Sequence, residues 1–482
     1  MIGTTYKNGQ KLESPDRRRT AGKTEHSWCK AVSGGTGITV LAFQLSKPVE
    51  ISLLRNALHK LQNSHPILRS KLHYNTSKKS FSFITLSTPQ VQIKTYDISS
   101  TSDLLVKRSN GSDQLMISPL QAIHEHEMNN NSWFNPSDFP IEGIDVFFAS
   151  VYELPVDSKW IVALRFHTAV CDRTTAVSLL RELIEFAGRE EDGGGDSEID
   201  GKVCLGIEDM IPSGKRKKTI WAHGIDMLEY SVNSLFRIDN LKFKDIKRPR
   251  CSEFVRLQMS LNDTSQILAG CKSRGIKLCG VLSAAALIAA HSSKCNPESD
   301  DHHHRIKKYA VVTLIDCRTI LDPPLTLHDF GFYHSAILNI HTMKQGSDKN
   351  LWELATITYD AVSNSKNNNK HFSDMADLNF LMCRAIENPN FTASSSLRTS
   401  LISVFEDPVF DNSNQIQEEL GLDDYIGSGS VHGVGPSIGI FDTIRDGKLD
   451  CVCVYPSPLH SRAQMVDLVD EMKRVMIHAV NN

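Results

Sequence analysis

Residues 189–202, REEDGGGDSEIDGK, combine acid and glycine so densely that they cannot pack into a core. With the basic cluster Lys215, Arg216, Lys217 and Lys218 behind them, they predict a crossover linker over 189–219 that cuts the 482-residue chain into two large halves. Each half alternates two hydrophobic periods. In the first, GITVLAFQL (37–45) predicts a buried strand, and Ile51, Leu54, Leu58 and Leu61 predict a helix. His65-Pro66 stops that helix, because the residue before proline is pushed out of the helical region. Further strands are expected at 81–86 and 91–96, a surface tip at Asn129, Asn130 and Asn131, and a strand at 160–166 that runs through HTAVCD into a helix marked by Val177, Leu180, Ile184 and Ala187.

The second half repeats the alternation. Strands are expected at 253–261, 309–315 and 449–455, and helices at 264–274, through GVLSAAALIAAH to His291, at 351–362 and at 374–385, with an Asn-rich loop at 364–369. Ser461 is placed to cap a last helix carrying Met465, Leu468, Met472, Val475 and Ala479 on one side. The class is therefore α/β or mixed α+β, without a short-period repeat.

Composition narrows the partners. The 53 Lys+Arg residues nearly balance 56 Asp+Glu, so no basic field draws the chain to nucleic acid or anionic lipid. No run reaches the roughly 18–20 apolar residues of a membrane span. Eleven scattered cysteines without a CxxC pair fit a reducing compartment, and the cytosol is the expectation. What remains is a small-molecule enzyme or a binding scaffold.

Four segments, in order, resemble one family. LRNALHKLQNSHPILR (54–69) is similar to the ALxxLxxxHPxLR helix of CoA-dependent acyltransferases and peptide-synthetase condensation domains; HTAVCDRTTA (167–176) resembles their HHxxxDG motif. TLIDCRTILDPPLTLHDFGFYHSA (313–336) is similar to their second-domain Asp-x-Arg strand and the segment after it, and the stretch from His432 to Met465 resembles the close of alcohol acetyltransferase-like members. The resemblance implies two similar chloramphenicol-acetyltransferase-like lobes around an inter-lobe tunnel. On this reading 1–26 is a disordered tail, 27–188 the N-terminal lobe and 220–482 the C-terminal lobe. It also implies a monomer that uses acyl-CoA as co-substrate and a small-molecule acceptor, with no permanently bound cofactor and no metal. The BAHD enzymes share the fold, but DFGFY (329–333) stands after the Asp-x-Arg strand and not in the place of their DFGWG motif.

Acyl transfer from a thioester needs a base near neutral pKa, which imidazole supplies, and donors for the tetrahedral oxyanion. The motif's base is its second histidine, and that place holds Thr168; His167 stands one residue earlier, and Arg173 replaces the glycine. Successive residues leaving a strand face opposite sides, which leaves three readings: the local turn carries His167 into the tunnel as catalytic base, or His167 is structural and the fold serves as a binding or non-acyl-transfer protein, or another group catalyses or the resemblance misleads. Asp172 reads as a helix N-cap, and the resemblance adds an ion pair from it to Arg318. Cys171 and the pair Cys451 and Cys453 read as buried packing residues, His302, His303 and His304 and the HEHE stretch around His124 and His126 as solvated or structural rather than metal-binding, and Gly433, Gly435 and Gly439 as points of close backbone approach near the tunnel.

Overall fold

The computed structural model describes residues 17–109, 117–156, 158–188, 204–215, 238–293, 306–344, 350–412 and 415–481. His302, His303, His304, Arg216, Lys217, Lys218 and most of the expected linker lie outside them.

The first half opens with strand β1 (Arg17–Thr20) and helix α1 (Lys23–Ser33), followed by β2 (Thr36–Leu45), α2 (Ile51–Ser64), β3 (Ser70–Asn75), β4 (Ser80–Thr85) and β5 (Ile93–Tyr96). Next come α3 (Ile98–Ser109), α4 (Pro119–Asn129), β6 (Ile144–Asp145), β7 (Phe147–Glu153), β8 (Trp160–His167) and α5 (Arg173–Gly188). The expected tail is thus ordered from Arg17 onward, because β1 pairs antiparallel with β4 and Arg19 holds Glu25 of α1 at 2.7 Å through both terminal nitrogens. The second half supplies β9 (Cys251–Gln258), β10 (Ile306–Asp316), β11 (His334–Lys344), β12 (Arg398–Phe405), β13 (Val409–Asp411), β14 (Leu422–Val431), β15 (Gly435–Arg445) and β16 (Lys448–Ser457). Its main helices span Leu261–Arg274, Leu278–Ser292, Leu351–Asn367, Met375–Glu387 and Arg462–Asn481.

The strands form three sheets: β1-β4-β3-β6, β14-β2-β8-β7-β5, and β11-β10-β12-β15-β16-β9 with β13 beside β15. β2 and β8 are buried on both faces along most of their length, as their mostly apolar runs favour, and α2 turns Leu54, Ala57, Leu58 and Leu61 inward. The alanine-rich helix Leu278–Ser292 is buried on almost every side, with small side chains allowing close approach to its neighbours. Each lobe has its own apolar core.

The lobes are not contiguous in sequence. β14, from the second half, pairs antiparallel with β2 along the edge of the first lobe's central sheet, and Ile426 and Val431 join that lobe's core. The division 27–188 against 220–482 therefore needs this exchange. Two polar stretches also differ from the expectation. Asn129 is no surface tip: its amide exchanges hydrogen bonds with both backbone groups of Ser252, tying α4 to β9. Asn364 to Asn367 continue a helix whose buried face is set by Leu351, Leu354, Ala355, Thr358 and Val362, since packing along that face outweighs the weak helix propensity of asparagine. Among the described residues, no single helix is long and apolar enough to cross a membrane.

Candidate active site

Between the lobes lies a mostly apolar cavity of about 170 Å³. Its walls come from β2 (Gly37, Thr39), the turn after β8 (Thr168, Asp172), the second lobe (Phe332, His334, Phe405) and β14 (Ser428, Ser430). The crossing strand thus completes the cavity as well as the sheet.

The turn is built outward from Asp172. As N-cap of α5, its Oδ1 accepts from the Thr175 N–H at 2.9 Å. Arg318 reaches across from the second lobe, donating from Nη1 to Oδ2 and from Nη2 to Oδ1, each at 3.0 Å. Oδ2 further accepts from the Tyr333 N–H at 2.8 Å and stands 3.0 Å from Nδ1 of His334. Burial alone would raise this carboxyl, but the Arg318 guanidinium and then His334 hold it well below the usual carboxylate range, so Asp172 is ionised. The DFGFY segment wraps the same turn: Gly331 accepts from the Asp172 N–H, Asp329 accepts from Arg318, and Phe330 stacks on His65 at 3.5 Å.

His167, the expected base, is fully buried and lines no part of the cavity. Its ring stands edge-on to Trp133, with centroids 5.2 Å apart. Nδ1 accepts from the Ala169 N–H at 3.1 Å, so in the neutral ring the proton sits on Nε2, which has no hydrogen-bond partner among the described residues. Burial pushes its pKa down to about 3. The strand alternation that turns Thr168 toward the cavity turns His167 away, and both position and tautomer oppose a role as base.

Thr168 lines the cavity in its place. Its Oγ1 lies 2.6 Å from Oγ1 of Thr39, which also stands 3.1 Å from the Cys171 carbonyl oxygen. Either hydroxyl can donate in the Thr39–Thr168 contact, and neither is a base of imidazole strength. Arg173, standing where the motif has glycine, lies over the Phe405 ring at 4.2 Å and pairs with buried Asp442 at 3.0 Å.

The other candidate residues fall into structural places. Burial, and then neighbouring Asp172, raise the Cys171 thiol far above the range of a reactive thiolate. His124 meets Ser428 of β14 at 2.7 Å, and burial holds its pKa at about 3; its neighbour Glu125 pairs with Arg462 of the second lobe. Cys451 and Cys453 are buried in the second core. Among the described residues no group of His, Cys, Asp or Glu has the arrangement to hold a metal ion. The glycine stretch does bring backbones together: a Cβ on Gly433 would stand 2.4 Å from the Gly34 carbonyl oxygen of the first lobe.

Two residues have places in this region that the motifs do not announce. Arg398 is buried with no carboxylate partner among the described residues and shapes the 431–436 loop by donating to the carbonyls of Val431, Gly433 and Pro436. His334 presents its ring to the cavity, edge-on to Phe405 at 5.7 Å.

Among solved structures, the chain is similar to a trichothecene 15-O-acetyltransferase from Fusarium sporotrichioides at 12% identity, covering 99% of this chain and 97% of that one with a TM-score of 0.66. It is similar to the cyclization-docking bidomain of the EpoB nonribosomal peptide synthetase from Sorangium cellulosum at 12% identity, covering 96% and 85% with a TM-score of 0.64. The epimerization domain from the third module of tyrocidine synthetase B matches at 12% identity over 98% of both chains, TM-score 0.59. No protein-family model and no curated protein sequence matches the chain. The fold is the two-lobed, chloramphenicol-acetyltransferase-like fold of condensation domains and acyltransferases.

Proposed function

We propose that this protein transfers an acyl group from acyl-CoA to a hydroxyl or amine of a small molecule held between its lobes, without a metal, as a monomer in the cytosol. The observation that carries the reading is that the turn resembling the acyltransferase motif delivers Thr168, Asp172 and Arg173 to the wall of the inter-lobe cavity. Mostly apolar walls with a few converging polar groups suit a small organic acceptor and exclude water that would compete for the thioester. The test is release of free CoA from a panel of acyl-CoA donors with pooled alcohols and amines. Acceptor-dependent release supports the reading, and none with any donor contradicts it.

A second reading, a binding protein with the same cavity, is favoured by one feature: His167 is sealed from the cavity and the motif's base position carries a threonine. It predicts saturable binding of a small molecule without CoA release.

A further inference from the structure

We infer that His334, held by Asp172, is the general base of this cavity, in the role that Thr168 cannot fill. The inference rests on the acyl-transfer reading and supplies the proton acceptor that reading lacks.

The argument is one of geometry and tautomer. Asp172 is ionised, and an ionised carboxylate only accepts hydrogen bonds, so the 3.0 Å contact to Nδ1 of His334 fixes a proton on that nitrogen. In the neutral ring Nε2 then carries the lone pair. This is the reverse of His167, whose lone pair is spent on the Ala169 N–H. Nε2 of His334 makes no hydrogen bond to the described residues, while the ring lines the cavity. Its orientation is fixed from three sides: Asp172 at Nδ1, Phe405 edge-on, and the β10 ladder, in which His334 is the partner of Asp316. Asp172 is fixed in turn by Arg318, Tyr333 and Thr175. A carboxylate that orients an imidazole through Nδ1 and leaves Nε2 to the substrate is the arrangement general-base catalysis requires.

The step balances without a co-reactant. Nε2 takes the proton of the acceptor hydroxyl or amine as its oxygen or nitrogen bonds to the thioester carbonyl carbon. The tetrahedral intermediate collapses with cleavage of the C–S bond. The proton on Nε2 passes to the departing sulfur, giving the ester or amide, CoA thiol and neutral His334.

The test compares His334→Gln and His334→Ala with His167→Gln in the CoA-release assay. The inference expects His334→Gln to lower kcat about 10²–10⁴-fold with KM little changed. It expects free imidazole to restore part of the rate to His334→Ala, which a merely structural histidine would not allow, and His167→Gln to keep its kcat in the folded fraction. A second readout needs no variant: diethyl pyrocarbonate should label His334 in the native protein, with labelling blocked by CoA plus acceptor, and should spare His167. Active wild type with undiminished His334→Gln, or a His334 inert to the reagent, overturns the base assignment and leaves acyl transfer standing. Wild type inert toward every donor overturns acyl transfer, and the base assignment with it.

Discussion

Arg318 grips Asp172 through both terminal guanidinium nitrogens, each at 3.0 Å, and both side chains are almost wholly buried at the junction of the lobes. The pair joins the β8–α5 turn of one lobe to the strand end of the other, so the shape of the cavity depends on it. Removing one partner leaves an uncompensated charge in a place water does not reach. Arg318→Ala should lower unfolding free energy by roughly 3–5 kcal/mol in urea titrations. A loss within experimental error would show that the lobes do not depend on this contact.

Acid should weaken the fold through its neutral histidines before it reaches Asp172. The pKa of His167 is about 3 in the fold, against about 6.5 in an unfolded chain. Between those values the unfolded state binds the proton and the folded state does not, so stability falls with falling pH across that window. Asp172, whose carboxyl is depressed, contributes stability that is present above about pH 3.9 and lost only as pH falls toward its folded value, outside the upper part of the window. His124 and His460, also at about 3, act in the same direction as His167 in every variant. His167→Phe should therefore lose about 1–2 kcal/mol less than wild type between about pH 7.5 and 5, measured by urea midpoints at each pH. Equal losses would place a charged or exposed His167 in the native state.

The hydroxyl of Thr168 is hydrogen-bonded to that of Thr39 at 2.6 Å and is not the base of this site. Thr168→Val should cost about 1 kcal/mol of stability and alter CoA release only a few-fold. Thr168→His should give no gain, because His334 already supplies the base. A large gain on Thr168→His would favour the binding-protein reading, in which the motif's missing histidine is what silences the site.

Gly433 marks the closest backbone approach between the glycine stretch and the first lobe. A methyl group there would meet the Gly34 carbonyl at 2.4 Å, and backbone cannot swing aside as a side chain does. Gly433→Ala should cost roughly 1–3 kcal/mol and reduce CoA release, whereas a neutral outcome would show that the loop shifts freely.

Much of this was legible in the chain. The apolar runs of β2 and β8 and the periodic face of α2 encode their own burial, and the helix stop at His65-Pro66 is local chemistry. Asp172 and Arg318 could be singled out because each sits in a recognisable segment. β14 could not, because DDYIGSGSV has too few apolar residues to announce a strand; its Ser and Gly side chains leave the space that becomes the cavity wall. His334 was hidden for a different reason. Its function arises from a contact with Asp172, 162 residues away, and local spacing carries no trace of such a pairing.

The central claim is that the histidine with an available lone pair in this cavity is His334 and not His167. Nitrogen NMR of histidine-labelled protein, above about pH 8 where a free imidazole is neutral, reads the tautomer of each ring directly. The account predicts His334 protonated at Nδ1 with an unprotonated Nε2 whose signal moves when acceptor fills the cavity, and His167 protonated at Nε2 with a signal that does not move. His334 protonated at Nε2, or His167 as the ring that answers the acceptor, would contradict it.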